Sequence, residues 1–277
     1  MLPDEPLIVI LVKLVDRIPM PQGDGKPKRG RPKVYSDRLF LKALIIMVLR
    51  RLSKVHELFS VLQQDTFEMN QLRVLLTEDE RFPSRRTWER RLKAIPEGLP
   101  AQIGLLGRYL VTLINPWESY GAAAATDSTI LKARGGVWHK KYMEKGEVPH
   151  SSIDTEAHWT KSGWHGWVYG WKLHLACTVA SVWIPLAARL TPANVADNQE
   201  AVELLAELPP QTRLVLGDTS YNDPQLRMLC DAQGRFLVAT RRGPHPHTDS
   251  GAKVRKVFHE LRHRAIENFN GQFKSLP

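Results

Sequence analysis

Between Ser36 and Leu62 apolar residues recur at helical spacing, at Leu39, Leu41, Leu44, Ile45, Val48, Leu49 and Leu52, with basic residues between them. That period predicts helices. An earlier apolar run, Leu7-Ile8-Val9-Ile10-Leu11-Val12, is broken by Lys13 and is too short to cross a bilayer. It follows Asp4 and Glu5 rather than a basic stretch, which argues against a signal peptide and for a packed helix. A further segment, Phe82-Pro83-Ser84-Arg85-Arg86-Thr87-Trp88-Glu89-Arg90-Arg91-Leu92, has Ser84 placed as an N-cap. Residues 1–117 therefore read as an all-helical domain, with a Pro/Gly/Lys/Arg linker over 19–33 and a helix-turn-helix over 60–95.

From about residue 120 the rhythm shifts to short apolar runs. Strands are predicted over 121–130, 168–180 and 182–190, the last two close enough to form a hairpin. A helix over 195–207 follows the loop Thr191-Pro192-Ala193-Asn194. Then come a strand over 213–218, a helix over 223–232, a strand over 235–240, a basic loop and a last helix over 254–275. The order βββαβαβα predicts an α/β domain with a mixed sheet over 118–277.

Three acids stand out against this frame. Asp127 ends the run Ala122-Ala123-Ala124-Ala125-Thr126, and Asp218 ends Leu214-Val215-Leu216-Gly217. Glu267 lies in the basic stretch Leu261-Arg262-His263-Arg264-Ala265-Ile266 on the last helix. Carboxylates at strand ends and on a covering helix can converge on one point and hold hard divalent cations, which prefer oxygen ligands. Two such ions roughly 3.5–4 Å apart would activate a water or a 3′-hydroxyl and stabilise a leaving oxygen. With 39 Lys and Arg against 29 Asp and Glu, the formal charge is +10, so a polyanion is the expected partner and a phosphodiester the expected substrate. No phosphate-cradling Gly-Lys-Ser/Thr loop occurs, so no nucleotide cofactor is expected. Cys177 and Cys230 sit among apolar residues and read as buried thiols in a reducing compartment, the cytoplasm.

Basic clusters supply the DNA-binding candidates. Arg85, Arg86, Arg90 and Arg91 fall within about two helical turns, suited to a helix entering a major groove. Arg29, Arg31 and Lys33 flank a Gly-Arg-Pro that fits a narrow minor groove, with an ordinary basic linker as the alternative. His259-Glu260-Leu261-Arg262-His263 matches a zinc-protease pattern, but few residues remain for a third ligand, and a DNA-facing helix is preferred. His245-Pro246-His247, beside Arg241 and Arg242, reads as a phosphate-facing loop. Among the tryptophans, Trp138 and Trp159 lie in an irregular segment and are the candidates for stacking on a splayed base, core packing being the common use of Trp.

The stretches Tyr169-Gly170-Trp171-Lys172-Leu173-His174-Leu175 and Leu190-Thr191-Pro192-Ala193-Asn194-Val195-Ala196-Asp197, with the flanks Thr126-Asp127-Ser128-Thr129 and Gly217-Asp218-Thr219-Ser220-Tyr221, resemble the core of bacterial insertion-sequence DDE transposases. The resemblance extends over roughly residues 30–275. It implies an RNase H-like fold behind a helical DNA-binding region. It also implies cleavage and strand transfer at element ends with Mg2+, two ions being expected and Mn2+ able to substitute. Asp127, Asp218 and Glu267 match the family's catalytic, metal-holding triad. A family signature, Tyr-x2-Arg-x3-Glu-x6-Lys, is met by Glu267 and Lys274, while Glu260 replaces its tyrosine and His263 its arginine. Lys274 and Arg264 are then expected to steady the phosphate backbone. Partners implied are double-stranded DNA, as element ends and target, and a second copy of the chain in a DNA-bound homodimer, on a bacterial nucleoid and without a membrane. The rival readings are a catalytically inactive or truncated derivative acting as a DNA-binding repressor, and a simple nuclease.

Overall fold

The computed structural model describes residues 5–18, 34–52, 54–94, 99–114, 122–163, 165–239 and 249–275. The linker over 19–33, with Arg29, Arg31 and Lys33, lies outside the described residues, as does the Arg241–His247 loop. The chain divides into two compact units, residues 1–106 with 275–277, and residues 107–274.

The first unit is helical: α1 (Leu7–Leu14), α2 (Asp37–Leu49), α3 (Val55–Leu62), α4 (Phe67–Leu75), α5 (Arg85–Ala94) and the first part of α6 (Leu99–Ile114). The predicted caps are in place. Ser36 Oγ accepts from Leu39 N at 3.2 Å, and Ser84 Oγ from Thr87 N at 3.4 Å. Val9 and Val12 of α1 are fully buried, so the N-terminal apolar run is a packed helix. Trp88 on α5 is buried with its ring centroid 4.9 Å from Phe40 and 5.8 Å from Phe82, and such aromatic pairs anchor α5 on the bundle. Between α4 and α5 the chain makes a tight turn, Arg81 N donating to Glu78 O at 2.8 Å, with Asp79 and Glu80 at φ 46° and 60°. The connection over 76–84 is longer than the three- to four-residue turn of the usual helix-turn-helix.

The second unit is built on one sheet: β1 (Ala123–Lys132), β2 (His158–Ser162), β3 (Gly166–Thr178), β4 (Pro185–Pro192), β5 (Leu214–Gly217) and β6 (Phe236–Ala239). A short helix α7 (Lys140–Met143) lies between β1 and β2, α8 (Asp197–Ala206) between β4 and β5, and α9 (Pro224–Ala232) between β5 and β6. The chain ends in α10 (Asp249–Arg262), a π-helical turn (His263–Glu267) and α11 (Asn268–Ser275). β1 runs antiparallel to β3 and parallel to β5, which is parallel to β6. Gly170 pairs with Lys132 on one edge and His158 on the other, while Trp171 pairs with Leu131 and Pro192. β2 and β4 therefore follow one another along the same side of β3, and the sheet reads β4-β3-β1-β5-β6 with β2 extending its far edge.

Two differences from the sequence reading have physical causes. The segment over 158–162 forms a strand because it pairs with Gly166–Gly170, although its sequence, His-Trp-Thr-Lys-Ser, shows little apolar alternation. The last helix is not one regular helix, because the π-helical turn interrupts it.

One glycine sets the end of β5. A Cβ at Gly217 would lie 2.6 Å from the Tyr221 Cβ, and Tyr221 is almost wholly buried. Only a residue without a side chain lets the ring close over the strand end. Gly217→Ala is expected to cost about 1–3 kcal/mol, the range for overpacking a filled core, read as a lower urea midpoint. An unchanged midpoint would contradict this packing.

Candidate active site

Small side chains bring the strands to the site. Ala124, Ala125 and Thr126 of β1 are fully buried between β3 and β5, and Thr126 Oγ1 donates to Leu216 O at 3.2 Å. The parallel register pairs Ala125 with Leu216. Asp127 and Asp218 each lie two residues further on, so the two carboxylates reach the same edge of neighbouring strands, which run roughly 5 Å apart. Asp218 stands where the chain leaves the sheet, its Oδ1 accepting from Ser220 N at 2.8 Å to start a 3-10 turn.

Glu267 arrives from the C-terminal helix. Ala265 and Ile266 are buried, and the π-helical turn packs on β1 and β3. Removing Ile266 from water contributes roughly 1.5–3 kcal/mol to that docking. In a π turn the hydrogen bond spans five residues rather than four, so positions five apart share a face. Arg262 therefore reaches Glu267, with Nη1 3.1 Å from Oε1, while its Nη2 lies 3.1 Å from Asp127 Oδ2. His263 Nδ1 lies 2.6 Å from the other Glu267 oxygen. Arg262, one residue before the signature's arginine position, thus contacts Glu267 and Asp127. The same contact engages the second histidine of the His-Glu-x-x-His pattern, and His259 is exposed.

These charges act on one another. Burial pushes the Asp127 carboxyl up to about 6, Arg262 and the Ser128 amide oppose the shift, and Asp218 and Glu267 add to it. The acids named from the sequence are therefore close enough to interact. Among the described residues, no group of three or more His, Cys, Asp and Glu side chains is arranged to hold a metal ion.

A family model described as a transposase DDE domain matches residues 122–274, more than half of the chain. The chain belongs to the DDE transposase family. Its sheet, with β1 central and β3 antiparallel, is the RNase H-like arrangement expected of that family. Among solved structures, a piggyBac transposase synaptic complex with hairpin DNA is similar at 11% identity, covering 89% of this chain and 49% of that one, with a TM-score of 0.36. The chain thus spans about half the length of that neighbour. A pre-cleavage Mos1 transpososome is similar at 11% identity, covering 91% and 74%, with a TM-score of 0.26. A Mos1 mariner paired-end complex with Mn follows at 12%, covering 87% and 80%, with a TM-score of 0.27. No curated protein matches the chain.

Residues that the sequence reading left without a role brace this transposase sheet. His174 is fully buried, with Nε2 2.9 Å from Thr191 Oγ1 and Nδ1 3.5 Å from Asp197 Oδ1. Lys172 Nζ donates to Val195 O at 2.7 Å and lies 3.2 Å from Asp197. The motif over 190–197 therefore ties the β3–β4 hairpin to the start of α8. Beside Asp218 a cleft of about 530 Å³ is lined by Lys172, Asp197, Asn198, Thr219, Ser220 and Asn222, among others. The signal for this brace was the run of polar residues at alternate positions of an otherwise apolar hairpin.

The basic candidates differ in fate. Arg86 and Arg90 are exposed, four apart on one face of α5, with no acidic partner among the described residues. Arg85 pairs with Glu89 at 2.8 Å. Arg91 turns inward, bonding Asp37 and lying 4.8 Å from the Phe40 ring centroid, and burial lowers its pKa. Arg264 and Lys274 are exposed. The stacking candidates are engaged in packing: Trp159 Nε1 donates to Trp138 O at 2.9 Å, and its ring lies 5.5 Å from Tyr169.

Asp127 gives a pH-dependent prediction. Its folded pKa of about 6 lies above the ordinary 3.8, so its contribution to stability is full below about 3.8 and is lost as pH rises through 6. Asp127→Asn cannot ionise. In the metal-free protein it is expected to be more stable than wild type at pH 8, by up to about 3 kcal/mol for the rise from 3.8 to about 6, with little difference at pH 4. A less stable variant at pH 8 would contradict the shift.

Proposed function

We propose that this chain is a divalent-metal-dependent DNA transposase that cuts at the ends of a mobile element and joins them to a target. The observation that carries the reading is the parallel register that sets Asp127 and Asp218 at one sheet edge, with Glu267 delivered beside them by the π-helical turn.

The donor set suits a hard cation. All three side chains offer carboxylate oxygens, the preferred ligands of Mg2+ and Mn2+, and their mutual repulsion at Asp127 is what a bound cation would relieve. Asp127 and Asp218 would hold one or both ions, and Glu267 the second. Ions bound there would supply charge stabilisation at the phosphodiester and an activated oxygen nucleophile. The chain's own work is to hold the three carboxylates in place and to orient the DNA backbone through Arg264 and Lys274, while the Arg262 charge opposes the upward shift at Asp127. No external energy source is needed, since transesterification conserves phosphodiester bonds.

DNA recognition is assigned to the helical part of the chain. The exposed face of α5 bearing Arg86 and Arg90 would contact the terminal repeats, with Arg85 at its edge and the Arg29–Lys33 arm alongside. Arg91 is better read as an anchor of α5 than as a DNA contact, because its guanidinium is held by Asp37 and Phe40. Joining two ends calls for two copies of the chain, so a DNA-bound homodimer is the expected active form.

The deciding experiment places the gene and its flanking DNA on a donor plasmid and scores joining to new sites. Asp218→Asn is expected to abolish cleavage and joining while leaving DNA affinity intact or raised, since a negative charge near phosphate is removed. Cleavage by that variant at the wild-type rate would overturn the assignment. Joining by neither protein, with binding to the flanks retained, would identify a DNA-binding regulator instead. Separately, Arg86→Ala with Arg90→Ala is expected to weaken binding and lower its salt slope by about one to two units. An unchanged slope would move the DNA face elsewhere.

A further inference from the structure

Among the described residues, the Asp127 and Glu267 carboxylates share one counter-ion, the Arg262 guanidinium. Its two terminal nitrogens divide between them, Nη2 to Asp127 Oδ2 and Nη1 to Glu267 Oε1, each at 3.1 Å. The side chain is only 10% exposed and its Nε is buried without a hydrogen-bond partner among the described residues. The other carboxylate oxygens are also engaged, Asp127 Oδ1 by the Ser128 amide at 2.9 Å and Glu267 Oε2 by His263 at 2.6 Å. Such a fork is rigid and permanently charged, so it can span two carboxylates that would otherwise repel. It takes up the oxygens that a shared divalent cation would need. A divalent cation on the same two oxygens would sit against the guanidinium's positive charge, so the two compete for them. The reach depends on the π-helical turn, which brings position 262 onto the face of position 267.

We propose that Arg262 is the resident counter-ion of the metal-free site, holding Asp127 and Glu267 together until a divalent cation displaces it. This rests on the metal-dependent reading above. Metal uptake is then an exchange of one cation for another, and Arg262 positions the two acids while competing with their ligand. A residue that merely supported the helix would act in the opposite sense, since its loss would disorder the acids and weaken metal binding.

The test is calorimetric titration of Mn2+ into the full chain without DNA, for wild type, Arg262→Met, Arg262→Lys and Asp127→Asn. Arg262→Met is expected to bind Mn2+ about tenfold more tightly than wild type, equivalent to about 1.4 kcal/mol of competition removed. Its metal-free melting temperature should fall, and the rise on adding Mn2+ should exceed that of wild type. If Arg262→Met does not fold, Arg262→Lys decides: a lysine ammonium is a point charge that cannot fork between two carboxylates, so it too should bind Mn2+ more tightly. Equal or weaker Mn2+ binding by the folded Arg262 variants overturns the inference and leaves the metal site standing. Mn2+ binding that ignores Asp127→Asn overturns the metal reading itself, and this inference with it.

Discussion

The burial of a carboxylate at one sheet edge, beside two further acids, is the constraint on which this catalytic unit is organised. Parallel pairing of β1 and β5 puts Asp127 and Asp218 side by side, and the C-terminal helix adds Glu267. Burial makes the arrangement costlier, which is why the Asp127 carboxyl rises to about 6. A fold that keeps such a cluster needs a cation nearby, and the helix supplies one in Arg262. Acids and counter-ion are parts of one electrostatic balance, and a change to any of them alters the others.

The surrounding packing fixes where that balance is struck. Gly217 lets Tyr221 close against the end of β5 and defines where the chain turns at Asp218. Ala265 and Ile266 seat the π-helical turn on β1 and β3, setting the depth of Arg262. Further along β3, His174 and Lys172 tie the hairpin to the start of α8 through Thr191, Val195 and Asp197. Arg235 caps the far end of α8, donating to Leu208 O at 2.8 Å and also to Leu205 O. These are positional constraints, and they explain why the motifs near the acids mix glycine, small apolar residues and buried polar groups.

Much of this was legible in the chain. Compact apolar runs marked β1 and β5 because central strands are buried on both faces, and the helices expected over 195–207 and 223–232 are Asp197–Ala206 and Pro224–Ala232 in the structure. The strand at 158–162 was not legible, since its stability comes from pairing with β3 and its sequence is largely polar. The π-helical turn was equally hidden: a 3.6-residue period has no term for one inserted residue, so the reach of Arg262 to Glu267, five positions on, could not be read from the chain. Arg91 carried the composition of a DNA-contacting arginine, and only the fold reveals Asp37 and Phe40 beside it. Trp138 and Trp159 stood out because their segment lacks period; the fold adds that each indole N–H donates to a backbone carbonyl and that the Trp159 ring lies 5.5 Å from Tyr169.

Arg262 bridges Asp127 and Glu267, and we propose that it holds them, with Asp218 nearby, until metal arrives. The most direct measurement is the anomalous scattering of Mn2+ in crystals of the protein grown with that ion. An anomalous peak is expected among these three carboxylates, with the Arg262 guanidinium turned away from Asp127. A peak elsewhere, or one at the carboxylates with Arg262 still bridging Asp127 and Glu267, would contradict it.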